Sequence, residues 1–359
     1  MKKILVFIIT AIILCSVCYA DNENYIDTNE LENSVPDYVI DILGESELSA
    51  DTDIDGMWQR IIHSFNQELQ KVYKPALRRG LYLIVIAMIC SVLEIFAVKK
   101  TPVYVKLCCC SAICILCAGD MGSYISLGKE TMSTISEFSN ALLPTLCTAG
   151  IVCGTPIASA AKYAASALFM DILVYAADNF ILPMILAYTA LVIASSAFEN
   201  KALSGVCNLI KWLCTFLITA LTLAFVIYIS VSSAISTGGD AVASKVAKTT
   251  ISTVLPVVGG IISDAASAVV AGAELMRSVA GVFGMLAVLA MCVAPFAALG
   301  INFLIFKASA ALVKAFDTGS ISNLINGIGN SIGMILALVG SSGIMIFISI
   351  ISCIKAVSA

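Results

Sequence analysis

Long apolar runs separated by short polar segments occupy most of the chain, from residue 80 onward. Each run approaches the roughly 20 residues that a helix needs to cross about 30 Å of hydrocarbon. Backbone polar groups in lipid must bond within their own segment, which favours helices. The pattern predicts an all-α, polytopic α-helical membrane protein with seven or eight transmembrane helices. Spans are predicted at 80–98, 103–118, 179–197, 212–235, 280–299 and 331–354, with less distinct ones at 160–177 and 255–275 and a short returning helix at 301–316.

The first twenty residues have the pattern of a secretory signal peptide. Lys2 and Lys3 precede an apolar core over 4–14, and Cys18 and Ala20 supply small residues at the −3 and −1 positions. An uncleaved membrane anchor is the alternative. In either case the segment that follows, residues 21–79, is expected outside the cytoplasm.

That extracytoplasmic segment is predicted to contain two helices. A short one is expected at 36–43, and an amphipathic one at 57–74 that ends near Pro75. The apolar stripe of the longer helix consists of Met57, Trp58, Ile61, Phe65 and Leu69. Such a stripe requires a partner, which is either the bilayer surface and the protein's own membrane domain or another protein outside the cell.

Charged residues give the orientation. Lys99, Lys100 and Lys106 follow the first span and are expected in the cytoplasm by the positive-inside tendency. Arg78 and Arg79 then lie on the outer side, against that tendency, and the signal peptide outweighs them.

Composition supports the membrane assignment and excludes several functional classes. The 359 residues are 60% apolar and 12% charged, and the net charge of the chain is −4. Residues 21–79 alone have a net charge of −8. A single histidine, His63, excludes histidine clusters for metals and most histidine-based catalysis. No phosphate-binding glycine loop or basic patch is visible, so neither a nucleotide nor a nucleic acid is an expected ligand.

The fourteen cysteines indicate small packing residues rather than a metal centre. Cys110, Cys114 and Cys117 have a spacing that holds iron–sulfur clusters in other proteins. Here the spacing falls in an apolar helix, where cysteine behaves as a small apolar residue. We therefore predict no cofactor, no metal and no catalytic residue.

Acidic residues within the apolar region are the candidate interior polar groups, because ionisable side chains are costly in lipid. Asp171 and Asp178 share a helical face if the helix is continuous, and Asp264 lies among small apolar residues. Each acid either lines a hydrated interior or marks the end of a span. The candidates are Asp171, Asp178, Asp264 and Glu274.

Small residues and prolines indicate close helix packing and broken helices. The candidate packing and hinge positions are Pro144, Gly150, Gly154, Pro156, Pro256, Gly259, Gly260, Gly329 and Gly333. Regions 131–177 and 250–275 share Thr-Ile-Ser, a Leu-Pro pair and glycine in the same order. This order predicts either an internal repeat or two unrelated helices that begin at a proline.

Two proline-containing segments carry a family resemblance. Leu-Leu-Pro at 142–144 and Val-Leu-Pro-Val-Val-Gly-Gly-x-x-Ser-Asp-Ala-Ala at 254–266, within this overall layout, resemble the stage III sporulation protein AE family. The resemblance implies a membrane component that works with seven other stage III A proteins and a forespore-side partner. Together these resemble parts of secretion systems that join the mother cell to the forespore. The family supplies no catalytic residue.

The favoured hypothesis is therefore a non-enzymatic, multi-pass subunit of this sporulation channel complex. The implied partners are the sister stage III A proteins, a forespore-side protein, the lipid bilayer and a second copy of the chain. A stand-alone secondary transporter for a small solute or ion is the alternative. A membrane-embedded enzyme would require Asp171 and Asp264 to form a dyad, and no signature supports one.

Overall fold

A computed structural model describes the backbone of residues 35–43, 54–96, 102–153, 155–198, 201–254, 259–316 and 319–355, and over 233–278 the helix path alone. All regular structure in these residues is helical. The helices are α1 Asp37–Leu43, α2 Ile54–Phe96, α3 Pro102–Val152, α4 Pro156–Ala176, α5 Leu182–Phe198, α6 Lys201–Val254, α7 Gly259–Val313 and α8 Ser320–Lys355, with a π-helical turn, Ala177–Ile181, between α4 and α5.

The all-α membrane fold is confirmed, with fewer crossings than expected. Six helical segments of the described chain are long and apolar enough to span a bilayer, rather than seven or eight. The predicted spans 160–177 and 179–197 form one rod, because α4 continues through the π turn into α5. The returning helix expected at 301–316 is also absent, since α7 runs without a break to Val313.

Two helices form the centre of the bundle. The most apolar stretches of α7 and α8 are 67% and 61% buried, whereas those of α2, α3 and α6 are 22–28% buried. Glycines allow the central pair to approach closely: a methyl group on Gly333 would lie 2.8 Å from the Phe303 ring, and one on Gly329 would lie 3.2 Å from Phe306. Close backbone contact substitutes for the hydrophobic driving force that lipid lacks.

The rod formed by α4 and α5 packs antiparallel to α8 and is held by hydrogen bonds along its length. Ser166 donates to Ser349 at 2.7 Å, the Thr189 and Ser331 hydroxyls lie 2.8 Å apart, and Ser320 donates to the Ser196 carbonyl at 2.6 Å. Buried Lys162 donates to the Ser352 carbonyl at 2.7 Å. A cation there complements the negative end of the α8 dipole.

The short helix expected at 36–43 is present as α1, and its Val39 and Leu43 are buried. Arg60 of α2 donates to the Leu43 carbonyl at 2.7 Å, which ties α1 to the start of α2. Burial is the main cause that raises the pKa of Tyr38, with smaller contributions from Cys292 and Glu130. The α1 helix is therefore packed on the membrane body.

Pro75 does not end the amphipathic helix, contrary to expectation. Helix α2 continues through it to Phe96, so the predicted boundary at 79/80 falls inside one helix. A proline removes one helical hydrogen bond, and packing of the helix after it offsets that loss. Ala76, directly after Pro75, and Leu83, two turns further on, are fully buried.

Helix lengths exceed the thickness of a bilayer. Helices α3, α6 and α7 contain 51, 54 and 55 residues, which correspond to about 75–85 Å each. A hydrocarbon core of about 30 Å accommodates less than half of that length. Each of these three helices is therefore longer than a single crossing requires.

The beginning of α2 and the end of α8 lie at the same end of the bundle. Trp58 and Phe65 of α2 line one groove with Ile344 and Phe347 of α8. At the other end, Gly319 adopts a φ of 101°, a backbone conformation that favours glycine. Helix α8 begins directly after it, beside Ser196 of α5. An even number of crossings follows from this arrangement.

Candidate functional site

Arg79 is the centre of a polar network between three helices. Its guanidinium lies 3.1 Å from the Asp120 carboxylate of α3. It also donates to the Tyr124 hydroxyl at 3.1 Å and to the Asn302 side-chain oxygen of α7 at 3.4 Å. Arg79 is thus a packing group inside the bundle. The positive-inside tendency concerns loop charges, and Arg79 is not one of them.

A second polar cluster surrounds Lys307 of α7. Its ammonium group donates to the side-chain oxygens of Asn326 at 2.7 Å and Asn330 at 2.5 Å, both on α8. The Asn330 amide donates in turn to the Tyr188 hydroxyl of α5 at 3.2 Å. Neutral oxygens therefore hold this lysine, and among the described residues no carboxylate forms an ion pair with it.

The Lys307 cluster opens onto a cleft between α5, α6, α7 and α8, which we call the polar cleft. It consists of two cavities of about 580 and 260 Å³ that share Asn330. Asn208 and Asn323 are exposed at its mouth, Asn326 and Asn330 are half-buried, and Tyr188 is buried in its wall. The described residues that line it include three lysines, Lys106, Lys211 and Lys307, and no acid. The arrangement can bind an anionic group.

Asp178 is the candidate acid that the structure places in a specific contact. It lies in the π turn, and its Oδ2 forms an ion pair with the Nζ of Lys129 of α3 at 3.0 Å. Its other carboxylate oxygen is buried and has no hydrogen-bond partner. Isolated π turns are frequent at functional positions, because they re-aim side chains within a helix.

The other candidate acids do not gather around Asp178. Asp171 is exposed on the outer surface of α4, although the helix is continuous between the two residues. Asp264 and Glu274 lie on α7 in a part where only the helix path is described. Whether each of these acids lines a hydrated interior or marks the end of a span stays a prediction.

The candidate hinge residues occupy different kinds of position. Pro144 lies inside the continuous helix α3, and Gly150 is buried near its end. Pro156 is in the first turn of α4, where a missing N–H costs least. Gly329 and Gly333 lie at the contact between α7 and α8, Gly259 and Gly260 begin α7, and Gly154 and Pro256 are outside the described residues.

The candidate partner stripe on α2 faces in two directions. Met57 and Ile61 are buried against the protein's own membrane body, and Leu69 is half-buried. Trp58 and Phe65 remain 48% and 38% exposed. Together with Phe296 and Ile344 they line an apolar groove of about 350 Å³, which we call the outer groove.

Comparison with known proteins assigns the chain to a family. The family model described as Stage III sporulation protein AE matches residues 34–357, which include all the helices described above. The chain belongs to the stage III sporulation protein AE family. Because the matched region includes both polar clusters and the outer groove, these features belong to the family domain of the chain.

One curated member of the stage III sporulation protein AE family supports this assignment. Stage III sporulation protein AE of Bacillus subtilis (strain 168) is 24% identical over 234 residues, or 65% of this chain. The match spans 58% of the length of that relative. No solved structure matches the chain.

The segment at 254–266, which carries the resemblance to the stage III sporulation protein AE family, lies at the junction of two long helices. Helix α6 ends at Val254 and α7 begins at Gly259, and residues 255–258 are outside the described range. The described part of this segment therefore consists of the last residue of α6 and the first two turns of α7.

Sequence inspection missed the polar cleft. Asn323, Asn326 and Asn330 recur at spacings of three and four, which places them on one face of α8. Lys307 is a lone cation between apolar neighbours in α7. Both signals are present in the sequence, whereas the interior polar groups predicted from it are all acidic.

Proposed function

We propose that this chain is a non-enzymatic, multi-pass subunit of the channel complex that links the mother cell to the forespore during sporulation. The observation that carries this proposal is the family match over residues 34–357. In this proposal the protein lies in the mother-cell membrane around the forespore, and its N-terminal segment projects into the intermembrane space. Its partners are the sister stage III A proteins, a forespore-side protein and a second copy of itself.

The surface of α2 supports a role within a larger assembly. Trp58, Ile62 and Phe65 of α2 remain exposed at the outer groove, although Met57 and Ile61 of the same turns are buried. The outer groove is therefore suited to an apolar segment of another protein.

A genetic experiment tests the proposal. Deletion of the gene from a spore-forming host is expected to stop development after engulfment, and the wild-type gene is expected to restore it. The double substitution Trp58→Asp and Phe65→Asp is expected to insert into the membrane but to lose co-purification of the sister subunits. Gln67→Asp, an exposed position on the same helix, is the matched control and is expected to behave as wild type. Normal spores from the deletion strain would contradict the proposal.

A stand-alone secondary transporter is the second candidate function. The polar cleft favours it, because hydrated cavities between membrane helices bind solutes in transporters. The exposed position of Asp171 does not. Solute uptake by the purified protein in liposomes, lost on Asp171→Asn or Asp264→Asn, would support this alternative over the channel subunit.

A further inference from the structure

Among the residues that the structure describes, those that line the polar cleft carry an excess of positive charge. Lys211 of α6 and Lys307 of α7 line the same 260 Å³ cavity. No described carboxylate pairs with either side chain, and the hydrogen-bond partners of Lys307 are neutral amide oxygens. Two cations that share a cavity repel each other, and an anion between them would relieve that repulsion.

Neighbouring groups add hydrogen-bond donors and further positive potential. Asn208, Asn323 and Asn326 contribute amide groups to the adjoining 580 Å³ cavity. Ser204 and Ser320, from the first turns of α6 and α8, also line it. The first turn of a helix carries partial positive charge and unpaired N–H groups. Side chains and backbone therefore both favour a bound anion.

The surface beside the cleft is suited to lipid. Trp212 follows Lys211 directly, is 61% exposed and stacks on Phe216 at a ring distance of 5.4 Å. Leu209, on the same helix, is also 61% exposed. Tryptophan beside a lysine on an apolar helix surface is typical of the membrane interface, where the ring lies at headgroup level.

We propose that the polar cleft is a binding site for the phosphate group of an anionic phospholipid. Lys211 and Lys307 contact the phosphate, and the asparagines donate hydrogen bonds to its oxygens or to the headgroup. The acyl chains lie along the exposed apolar surface of α6 beside Leu209 and Trp212. A free phosphate ion satisfies the same charges, but the exposed apolar surface beside the cleft brings lipid headgroups next to Lys211, which favours the lipid as the source of the phosphate.

Fluorescence quenching tests the proposal, because Trp212 lies next to the cleft and Trp58 is the other tryptophan of the chain. The detergent-solubilised full-length Trp58→Phe protein is titrated with brominated phosphatidylglycerol and, separately, with brominated phosphatidylcholine. Quenching by phosphatidylglycerol is expected at about a fivefold lower concentration, the effect of roughly one lysine near an anionic group.

Substitutions separate the cleft from general charge effects. Lys211→Gln is expected to remove the preference for phosphatidylglycerol, and Lys211→Arg is expected to retain it. Lys314→Gln changes an exposed lysine in the turn directly after α7 and is expected to leave the preference unchanged. Because no described hydrogen bond or ion pair of the fold depends on the Lys211 side chain, Lys211→Gln is expected to remain folded.

Three outcomes would overturn the proposal. The first is that both lipids quench the Trp58→Phe protein, in which all lysines are retained, at the same concentration. The second is an unchanged preference in Lys211→Gln. The third is loss of phosphatidylglycerol quenching on addition of millimolar inorganic phosphate, which would make a soluble anion the ligand of the site.

Discussion

The role of a single polar residue in this protein depends on its contacts with helices that are distant in sequence. Arg79 and Asp120 look like charges at the ends of spans when each is considered alone. In the structure they pair at 3.1 Å between α2 and α3, and Asn302 of α7 completes the network. Residue type and local pattern therefore located the charges, whereas their pairing required the three-dimensional packing.

The Arg79–Asp120 pair is expected to contribute to stability. Asp120→Asn leaves the arginine without a charged partner and is expected to lower the free energy of unfolding by about 1–2 kcal/mol. This is less than for a fully buried pair, because a third of the Arg79 side chain is exposed. The measurement is the midpoint of denaturation in mixed micelles of a mild detergent and dodecyl sulfate.

An exposed ion pair on the same helix provides the control for Asp120→Asn. Lys71 and Glu68 lie 2.6 Å apart on the surface of α2, and the Lys71 side chain is 68% exposed. Lys71→Gln is expected to change stability by about 0.5 kcal/mol or less. Equal losses of unfolding free energy in Asp120→Asn and Lys71→Gln would contradict the expected contribution of the Arg79 network to stability.

At the scale of the element, the apolar runs predicted that the spans are helical and approximately where they lie, since the backbone in lipid must form its own hydrogen bonds. The points at which helices end were less predictable. Asp178 and Asn179 resemble the end of a span, yet the rod continues because Lys129 of α3 pairs with Asp178. Pro75 and Pro295 also lie inside continuous helices, where tertiary contacts outweigh the lost hydrogen bond.

The contact between α7 and α8 makes a prediction about glycine. Gly333→Ala would place a methyl group 2.8 Å from the Phe303 ring, and such crowding typically costs about 1–3 kcal/mol. This cost is expected to exceed the gain of about 1 kcal/mol in helix propensity. The midpoint of thermal unfolding in detergent is expected to fall.

Gly340 provides the matched control on α8. A methyl group there would lie 3.5 Å from Phe296, an ordinary contact. Gly340→Ala is expected to leave the unfolding midpoint unchanged or to raise it. If Gly333→Ala proved as stable as Gly340→Ala, close packing at Gly333 would be disproved.

At the scale of the whole molecule, the long helices, the polar cleft and the outer groove lie in a definite order. The groove is at the end where α2 begins and α8 finishes, and the cleft extends toward the opposite end, where α5 meets α6 and α7 meets α8. We expect the cleft end in the cytoplasm, near Lys99 and Lys100, and the groove end in the intermembrane space. The family match supplied the biological role, which charge and periodicity alone did not contain.

Thiol accessibility tests the central claim of six crossings most directly. Asn200→Cys and Ala359→Cys are introduced separately into a protein from which the fourteen native cysteines have been removed. The variants are produced in vegetatively growing cells, where the protein enters the cell membrane. A membrane-impermeant maleimide added to these intact cells is expected to label Ala359→Cys, and to label Asn200→Cys only after permeabilisation. Labelling of both positions from the same side would contradict the account.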